Sequence, residues 1–402
     1  MNVLVTASAR MIVTPDGNLW TPISSLDYTF WTRYLEVYDT VGLMVRSVPA
    51  PAPPEGYRQA TGPGVQALPV PPLFSPKELL RQYRPLRQQI RKALSRAQAV
   101  HLRLPCPIGE TVASLLKPDQ PFGVEVVGDP YDVYAPGNNR HAFRPVLRWW
   151  ATRTLKHICA RATGVAYVTR WTLQRRYPPA TGAFATHYSS IHLTDEAFVA
   201  TPRHYERAPD PVRLVSVGTM EELYKGFHVL IEAVRQCTEQ GIHVHLTLIG
   251  DGKYRCDFQA QAAAAGIAHR ICFTGYLSNS AAIREHLDNA DLFVLPSFQE
   301  GLPRAVIEAM ARALPCLGST AGGLPELLAP TEMVTPGDAV ALARSIRSMA
   351  ADPNRLTRLS AENLSRAREY HHDTLRTRRT AFYRYIRKST EDWMQSPAYS
   401  CS

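Results

Sequence analysis

The chain has 402 residues, of which 45% are hydrophobic and 20% are charged, and its formal net charge is +10. This length predicts two domains, the composition is typical of a soluble globular protein, and no stretch approaches the roughly 20 apolar residues of a membrane helix. Seven scattered cysteines without a C-x-x-C pair favour reduced thiols in a cytoplasm and argue against a zinc site or a disulfide framework.

The first half alternates apolar runs with helical patterns, and its N-terminus is typical of a first β-strand, not of a signal peptide. The predicted strands are 3–7, 40–45, 99–104, 122–127 and 164–169. The predicted helices are 26–38 and 76–98, and Pro85 should kink or divide the second of them. This alternation predicts an open parallel sheet covered by helices.

A polar, proline-rich segment near 201–211 predicts the interdomain linker, because it has no hydrophobic periodicity. The strand–helix alternation then restarts, which predicts a second doubly wound domain. Its predicted elements are 213–217, 226–239, 243–249, 253–266, 270–274, 280–287, 291–295, 303–313, 315–318 and 322–328. Residues 337–371 continue as predicted helices, and the arginine-rich segment 374–388 is the predicted last helix.

The excess of positive over negative charge is confined to the first half. Residues 1–205 carry 23 lysines and arginines against 13 acidic residues, whereas residues 206–402 carry 22 of each. Between 133 and 194 there is no acidic residue, but there are nine lysines or arginines and three tryptophans, Trp149, Trp150 and Trp171. Such a surface attracts phosphates and anionic lipid headgroups. A merely solvated basic face is the alternative interpretation.

The most informative segment is 299–310, which joins a strongly apolar predicted strand to a helix. Two carboxylates, Glu300 and Glu308, bracket a Gly-Leu-Pro turn. Pro303 suits the first helical turn, because its missing N–H is not needed there, and the free amides before it form an anion site with the positive helix end. Glu308 lies roughly 7–8 Å further along the helix axis. A nucleotide sugar fits this spacing, and so does a surface helix with two solvated glutamates.

The same segment resembles the E-x7-E signature of retaining GT-B glycosyltransferases, family 4. Four other segments resemble elements of that family in the same order, 214–226, 246–252, 271–277 and 314–326. The first of these resembles the family's first strand and phosphate-lysine loop, the third the strand and loop that hold the base. The N-terminal half resembles the family only in outline.

The resemblance implies a fold class and a domain organisation. The fold would be GT-B, an α/β fold with two doubly wound Rossmann-like domains facing a cleft and a C-terminal helix that returns to the first domain. Residues 1–205 would form the acceptor-side domain, residues 206–373 the nucleotide-sugar-binding domain, and residues 374–402 the crossover helix and tail.

The resemblance also implies roles for individual residues. Lys225 follows a predicted strand, where its ammonium could neutralise a leaving diphosphate, and Glu300 would contact hydroxyls of the donor sugar. Glu308 would hold the ribose hydroxyls, which a carboxylate can do in bidentate fashion. The remaining donor-binding positions would be the backbone amides of Gly301 and Leu302 at the phosphates, the loop residues Gly218 and Thr219, and Tyr276 and Leu277 beside the base.

The sequence departs from the family pattern at two positions. Family members often carry an arginine where this chain has Thr219, so Arg304 or an arginine of the first domain would have to supply that charge. Many relatives also carry a histidine after a strand of the first domain, and here Asp129 or Asp132 would take its place. We therefore predict Asp129 as a catalytic group that accepts a proton or orients a hydroxyl, with a helix-cap or turn aspartate as the alternative.

These observations predict a glycosyltransferase that moves a sugar from a UDP- or GDP-sugar to a saccharide or lipid-linked acceptor with retention of configuration, in surface polysaccharide or glycolipid biosynthesis. The nucleotide sugar is a substrate, and no cofactor, metal or nucleic acid is expected. The enzyme would be cytoplasmic or peripheral on the inner face of the cell membrane. The alternatives are a GT-B-fold epimerase or phosphorylase and a non-catalytic protein that binds anions or nucleic acid.

Overall fold

The computed structural model describes residues 1–71, 76–134, 143–277 and 279–396, with the backbone alone for Ser24 and 76–82. The chain divides into two compact units. The first comprises the described parts of 1–128, 150–188 and 376–402, and the second those of 129–149 and 189–375. The domain boundaries predicted from the sequence stay predictions. Arg140, counted in the basic stretch, lies outside the described residues.

The first unit is built on one sheet. Its strands are β1 (Asn2–Val13), β2 (Leu19–Thr21), β3 (Thr40–Pro49), β4 (Arg58–Gln59), β5 (Val65–Val70), β6 (Ala99–Leu104), β7 (Gly123–Val126), β8 (Gly164–Tyr167) and β9 (Phe184–His187). Seven of them are parallel in the order β5-β3-β1-β6-β7-β8-β9, and β2 and β4 add an antiparallel extension beside β1. The connections change direction between β1 and β6, so the sheet is doubly wound.

The helices up to residue 176 are α1 (Tyr28–Trp31), α2 (Pro76–Leu94), α3 (Pro107–Leu115), α4 (Pro130–Val133), α5 (Arg144–Arg161) and α6 (Thr172–Arg176). The predicted helix 26–38 is wrong, because it breaks into α1 and two 3-10 turns. Asp27 caps a new helix, α1, because its side chain accepts a hydrogen bond from the Phe30 amide. The aromatic and threonine residues that follow favour helix only weakly. The predicted division at Pro85 is not seen, since α2 runs through it.

The second unit has a fully parallel six-stranded sheet in the order β12-β11-β10-β13-β14-β15. Its strands are β10 (Val212–Val217), β11 (Val244–Ile249), β12 (Ile271–Gly275), β13 (Leu292–Leu295), β14 (Cys316–Ser319) and β15 (Met333–Val334). Apolar residues of these strands and of the covering helices form one buried core. This order reverses between β10 and β13, as in dinucleotide-binding folds.

The remaining helices are α7 (Phe227–Glu239), α8 (Arg255–Ala264), α9 (Ser280–Asp288), α10 (Arg304–Ala311), α11 (Ala339–Ala350), α12 (Pro353–Arg368) and α13 (His372–Met394). The predicted element 322–328 is only a 3-10 turn at Leu324–Glu326, because the two glycines before Leu324 and Pro325 after it disfavour a longer regular element. None of the helices in the described ranges combines the length and apolar character that a membrane span requires.

The last helix is anchored to the first unit by a buried carboxylate. Oε1 of Glu125 in β7 accepts hydrogen bonds from the hydroxyls of Tyr34, at 2.6 Å, and of Tyr383 in α13, at 3.0 Å. Its other oxygen pairs with the guanidinium of Arg103 in β6. Because an unpaired buried charge is costly, this network fixes α13 on the sheet. The two predicted Rossmann-like domains and the predicted return of the C-terminal helix to the first of them are confirmed.

Candidate active site

The candidate donor site lies where the strand order of the second sheet reverses. The loop after β10 carries Lys225, and the loop after the neighbouring strand β13 carries Glu300. Open α/β sheets bind ligands at the carboxyl ends of the strands on either side of such a switch point. The structure therefore brings two of the predicted catalytic residues to the place where this fold binds ligands.

The two side chains form a largely buried ion pair. Nζ of Lys225 lies 2.7 Å from Oε1 of Glu300, and the side chains are 15% and 7% exposed. The Ser297 hydroxyl donates to the same carboxylate oxygen at 2.7 Å. Burial is the largest single effect and disfavours the charged amine, but the charge and hydrogen bond of Glu300 together with Tyr224 outweigh it and raise the pKa of Lys225. The amine is therefore held in its cationic form.

Gly226 allows the lysine loop to reach the end of β13. This glycine has φ +73°, and a Cβ on it would stand 2.2 Å from the carbonyl oxygen of Pro296. Only a residue without a side chain can make this approach. The Phe298 amide then donates to the Tyr224 carbonyl at 2.7 Å, which ties the two loops together. Lys225 and Glu300 are thus positioned by backbone contacts.

A glycine pair after β14 supports the Glu300 segment from the other side. The Gly323 amide donates to the Gly301 carbonyl at 2.8 Å. At Gly322, with φ +54°, a Cβ would stand 1.9 Å from the backbone oxygen of Glu300. The loop closing the site therefore depends on the absence of a side chain at Gly322.

Helix α10 begins directly beyond this turn. Pro303 is its N-cap and not, as predicted, part of its first turn, because its ψ of 106° is extended. Among the described residues no group accepts from the amides of Gly301 and Leu302, so both stay available beside the positive helix end. Glu308 is half-buried on this helix, and burial raises its pKa against the opposing charges of Arg304 and Arg284.

Arg304 lies close to both functional side chains. Its positive charge acts on Lys225 and on Glu308, and it opposes the rise in the pKa of each. The charge that Thr219 cannot supply is therefore present one helical turn from Glu308. The Thr219 hydroxyl instead accepts from the Glu221 amide at 3.1 Å and shapes the loop after β10.

The ends of β10, β11 and β12 are joined into one edge. The Gly218 amide donates to the Ile249 carbonyl, and the Gly250 amide donates to the Gly275 carbonyl, both at 3.0 Å. Tyr276 and Leu277 follow β12 directly, with Tyr276 57% exposed and Leu277 half-buried. Both therefore stand at the same edge as Gly218, where the sequence predicted them. Contact with a base stays a prediction.

Asp129 has a structural role in the described chain. It is buried and is the N-cap of α4, where its carboxylate accepts from the Tyr131 amide at 2.9 Å. Asp132 lies in the first turn of the same short helix. The cap accounts for an aspartate at this position. The catalytic role of Asp129 stays a prediction.

Sequence reasoning missed two polar groups. Ser297, which orients Glu300, follows the apolar strand β13 and precedes Glu300 by three residues, so its position in the loop was a usable signal. Glu110, in the first turn of α3, gave no sequence signal. Among the described residues its carboxyl has no hydrogen-bond or ion-pair partner, and burial raises its pKa to about 7. It stands after β6, at the switch point of the first sheet.

The Glu110 carboxyl predicts a pH dependence of stability. Burial raises its pKa from the ordinary 4.5 to about 7, so the stability it contributes is complete below pH 4.5 and is lost as the pH rises through 7. Glu110→Gln should therefore have a free energy of unfolding about 1–3 kcal/mol higher than the parent at pH 8, and a higher melting temperature, and should match the parent at pH 4.5. The exposed Glu55→Gln variant is the control. Equal melting differences at both pH values would contradict this.

Within the described ranges, no three His, Cys, Asp or Glu side chains are grouped as a metal site. The candidate site instead contains the cations of Lys225 and Arg304, the N-terminus of α10, and the carboxylates of Glu300 and Glu308. Such a set can bind a diphosphate through the first three and hydroxyl groups through the last.

Comparison with known proteins identifies this part of the chain. Residues 200–366 match the family model described as "Glycosyl transferases group 1". All the donor-site residues above lie within this span. This region is therefore similar to glycosyl transferases of group 1, and the predicted GT-B fold is confirmed.

The chain is also similar to individual known proteins. The chain is 24% identical to Protein CapJ of Staphylococcus aureus over 323 residues, 79% of each chain. It is 33% identical to the lipopolysaccharide core biosynthesis glycosyltransferase LpsE of Rhizobium meliloti over 173 residues, 42% of this chain and 47% of LpsE. The crystal structure of Anabaena HepE with UDP-glucose superposes with a TM-score of 0.63 at 15% identity, over 98% of this chain and 100% of that one. The match thus covers 79% of the length of CapJ but less than half of the length of LpsE.

Proposed function

We propose that the protein is a retaining glycosyltransferase of the family 4 type, a hexosyltransferase that uses a nucleotide sugar such as a UDP- or GDP-sugar. The observation that carries the proposal is the Lys225–Glu300 pair at the switch point, 2.7 Å apart and beside the N-terminus of α10. HepE, which shares the fold, binds UDP-glucose. LpsE, which is 33% identical over 173 residues, is a lipopolysaccharide core biosynthesis glycosyltransferase.

The proposed chemistry requires charge stabilisation at the leaving group. The bond from the anomeric carbon to the diphosphate breaks, a bond to the acceptor hydroxyl oxygen forms, and the diphosphate leaves with the bonding electron pair. Lys225, Arg304 and the amides of Gly301 and Leu302 would stabilise this charge. Glu300 would hold hydroxyls of the sugar, and Asp129 is the proposed acceptor of the proton from the acceptor hydroxyl.

Glu308 is proposed to hold the ribose. Glu308→Ala should weaken binding of a nucleoside diphosphate ten- to a hundred-fold, because a charge-assisted hydrogen bond contributes about 1.5–3 kcal/mol. Calorimetric titration with the ribonucleotide and its 2′-deoxy analogue tests the contact itself. The deoxy analogue should bind the parent more weakly, but bind Glu308→Ala as well as the ribonucleotide does. The exposed Glu285→Ala variant is the control, and an unchanged ribose preference in Glu308→Ala would refute the assignment.

We also propose that transfer needs no metal ion. Lys225, Arg304 and the α10 N-terminus place positive charge where a cation would otherwise neutralise the diphosphate. Turnover should therefore be the same with and without EDTA. Loss of turnover in chelator that magnesium or manganese restores would show that these groups are insufficient.

The acceptor is proposed to be a lipid-linked saccharide at the cytoplasmic face of the cell membrane. The excess of basic residues in 1–205 would attract the protein to an anionic leaflet, with about 1 kcal/mol for each lysine or arginine near the surface. Turnover of a panel of UDP- and GDP-sugars, with soluble and lipid-linked saccharides as acceptors, tests the whole proposal. The product should keep the anomeric configuration of the donor.

Two other functions would give different results. An epimerase or phosphorylase would act on a sugar phosphate or nucleotide sugar without an acceptor saccharide. A non-catalytic binding protein, suggested by the basic first half, would be stabilised by oligonucleotides in a thermal shift assay. We expect stabilisation by UDP or GDP and none by oligonucleotides.

A further inference from the structure

Helix α5 presents a solvent face that changes character along its length. The residues at its N-terminal end expose large apolar side chains, Phe143 at 68%, Val146 at 61%, Trp149 at 63% and Trp150 at 53%. In the next two turns the exposed side chains are Arg153, Lys156 and His157. No acidic residue occurs anywhere between 133 and 194. The face is therefore apolar at one end, basic at the other, and free of carboxylates.

This cluster is unusual for the surface of a folded protein. Of the twelve large hydrophobic side chains that are exposed in the described parts of the chain, four lie within 143–150. Single exposed apolar residues are common and need no explanation, whereas adjacent ones mark an interaction surface. Two tryptophans beside cationic side chains are typical of the boundary between water and lipid.

The helix holds this face outward on a rigid base. Its opposite side packs into the core of the first unit through Leu155, Ile158 and Cys159. Near its N-terminus Nε of Arg148 donates to the Tyr131 carbonyl at 2.9 Å, and the guanidinium lies 3.4 Å from the centre of the Tyr131 ring. The exposed aromatic groups are thus carried by an anchored helix.

We infer that this face of α5 docks on an anionic lipid bilayer, with the end near Phe143 and Trp149 inserted among the headgroups. Lys156 lies seven residues beyond Trp149, roughly 10 Å along the axis, so a tilt of the helix that inserts its N-terminal end carries the tryptophans deeper than Lys156. Inserted tryptophans would therefore leave Arg153 and Lys156 at the level of the lipid phosphates. Charge complementarity selects an anionic bilayer as the occupant.

The inference rests on the proposed function only in that docking would hold the enzyme at a lipid-linked acceptor. Membrane binding itself can be tested separately, because it has two components. Attraction of the basic side chains weakens with salt as the screening length falls. Insertion of the aromatic side chains depends on buried apolar area and persists in salt.

Vesicle co-sedimentation without nucleotide tests both components. The parent should bind phosphatidylcholine vesicles that contain phosphatidylglycerol, and bind them several-fold less, but measurably, when salt rises from about 0.1 M to about 0.5 M. Trp149→Ser/Trp150→Ser should lower the partition coefficient about tenfold or more at both salt concentrations. Arg153→Gln/Lys156→Gln should lower it only at low salt.

Three controls make the result decisive. Val340→Ser removes a comparably exposed apolar side chain, 56% exposed, from the second unit and should bind like the parent. Melting temperatures confirm that each variant folds, and titration with UDP or GDP in the absence of lipid tests the donor site separately. The inference is overturned if the parent ignores anionic vesicles at low salt or the tryptophan variant binds like the parent. It is also overturned if the tryptophans support only self-association in sedimentation velocity.

Discussion

Lys225→Ala should lower turnover and affinity for the diphosphate ten- to a hundred-fold or more. The substitution removes a charge-assisted contact to the phosphates, worth about 1.5–3 kcal/mol, and leaves the buried Glu300 carboxylate with only the Ser297 hydroxyl among the hydrogen-bond partners described above. Steady-state kinetics with the best donor of the panel, alongside the melting temperature, measures both effects.

The matched control is Lys253→Ala, which removes an exposed lysine paired with Glu222 at 3.0 Å in the same unit. Exposed pairs contribute little, so this variant should behave like the parent. The double variant Lys225→Ala/Glu300→Ala separates stability from function, because removing both charges should restore the melting temperature without restoring turnover. Parental turnover in Lys225→Ala would mean that the donor site is misassigned.

Gly322→Ala should lower both stability and activity, although this residue is not expected to touch the substrate. A Cβ at this position would stand 1.9 Å from the backbone oxygen of Glu300, so the loop carrying Glu300 has to move. The left-handed backbone costs a further 1–2 kcal/mol, roughly, for any residue with a side chain. We expect a fall in turnover of about tenfold or more, since small displacements at a site are costly.

Gly241→Ala isolates the clash from the strain. Gly241 also has a left-handed backbone, with φ +77°, but a Cβ there would meet nothing within 4 Å. The Gly241→Ala variant should lose only the stability that the left-handed backbone costs a residue with a side chain, and it should keep the turnover of the parent. If Gly322→Ala and Gly241→Ala have the same turnover, the contact between the loop after β14 and Glu300 does not contribute to activity.

The alternation of elements was predictable because the second unit's strands are short apolar runs between turn residues. β10, β11, β12, β13 and β14 all lie within two residues of their predicted bounds. The helix 26–38 was wrong for a local reason, the cap at Asp27. The short strands β2, β4, β5, β9 and β15 were not predicted, because pairing with a neighbour and not their own sequence makes them strands.

The site was predictable as a set of residues but not as a geometry. Lys225 and Glu300 are 75 residues apart, and only the order of strands places β10 beside β13. The alternation of strands and helices along the sequence does not reveal which strands are neighbours in the sheet. Burial is equally invisible in a single sequence, and it is burial that raises the pKa of Glu110 and makes the Lys225–Glu300 pair costly to break. Asp129 looked catalytic for the same reason, since its capping contact appears only in the folded chain.

The most direct test of the donor site compares a nucleoside diphosphate with its nucleoside by calorimetric titration, in the parent and in Lys225→Ala. If the switch point of the second sheet binds the diphosphate, the parent should bind UDP or GDP at least about tenfold more tightly than uridine or guanosine, and Lys225→Ala should lose most of that preference. An equal preference for the diphosphate in the parent and in Lys225→Ala, or no preference in the parent, would contradict the assignment of this edge as the donor site.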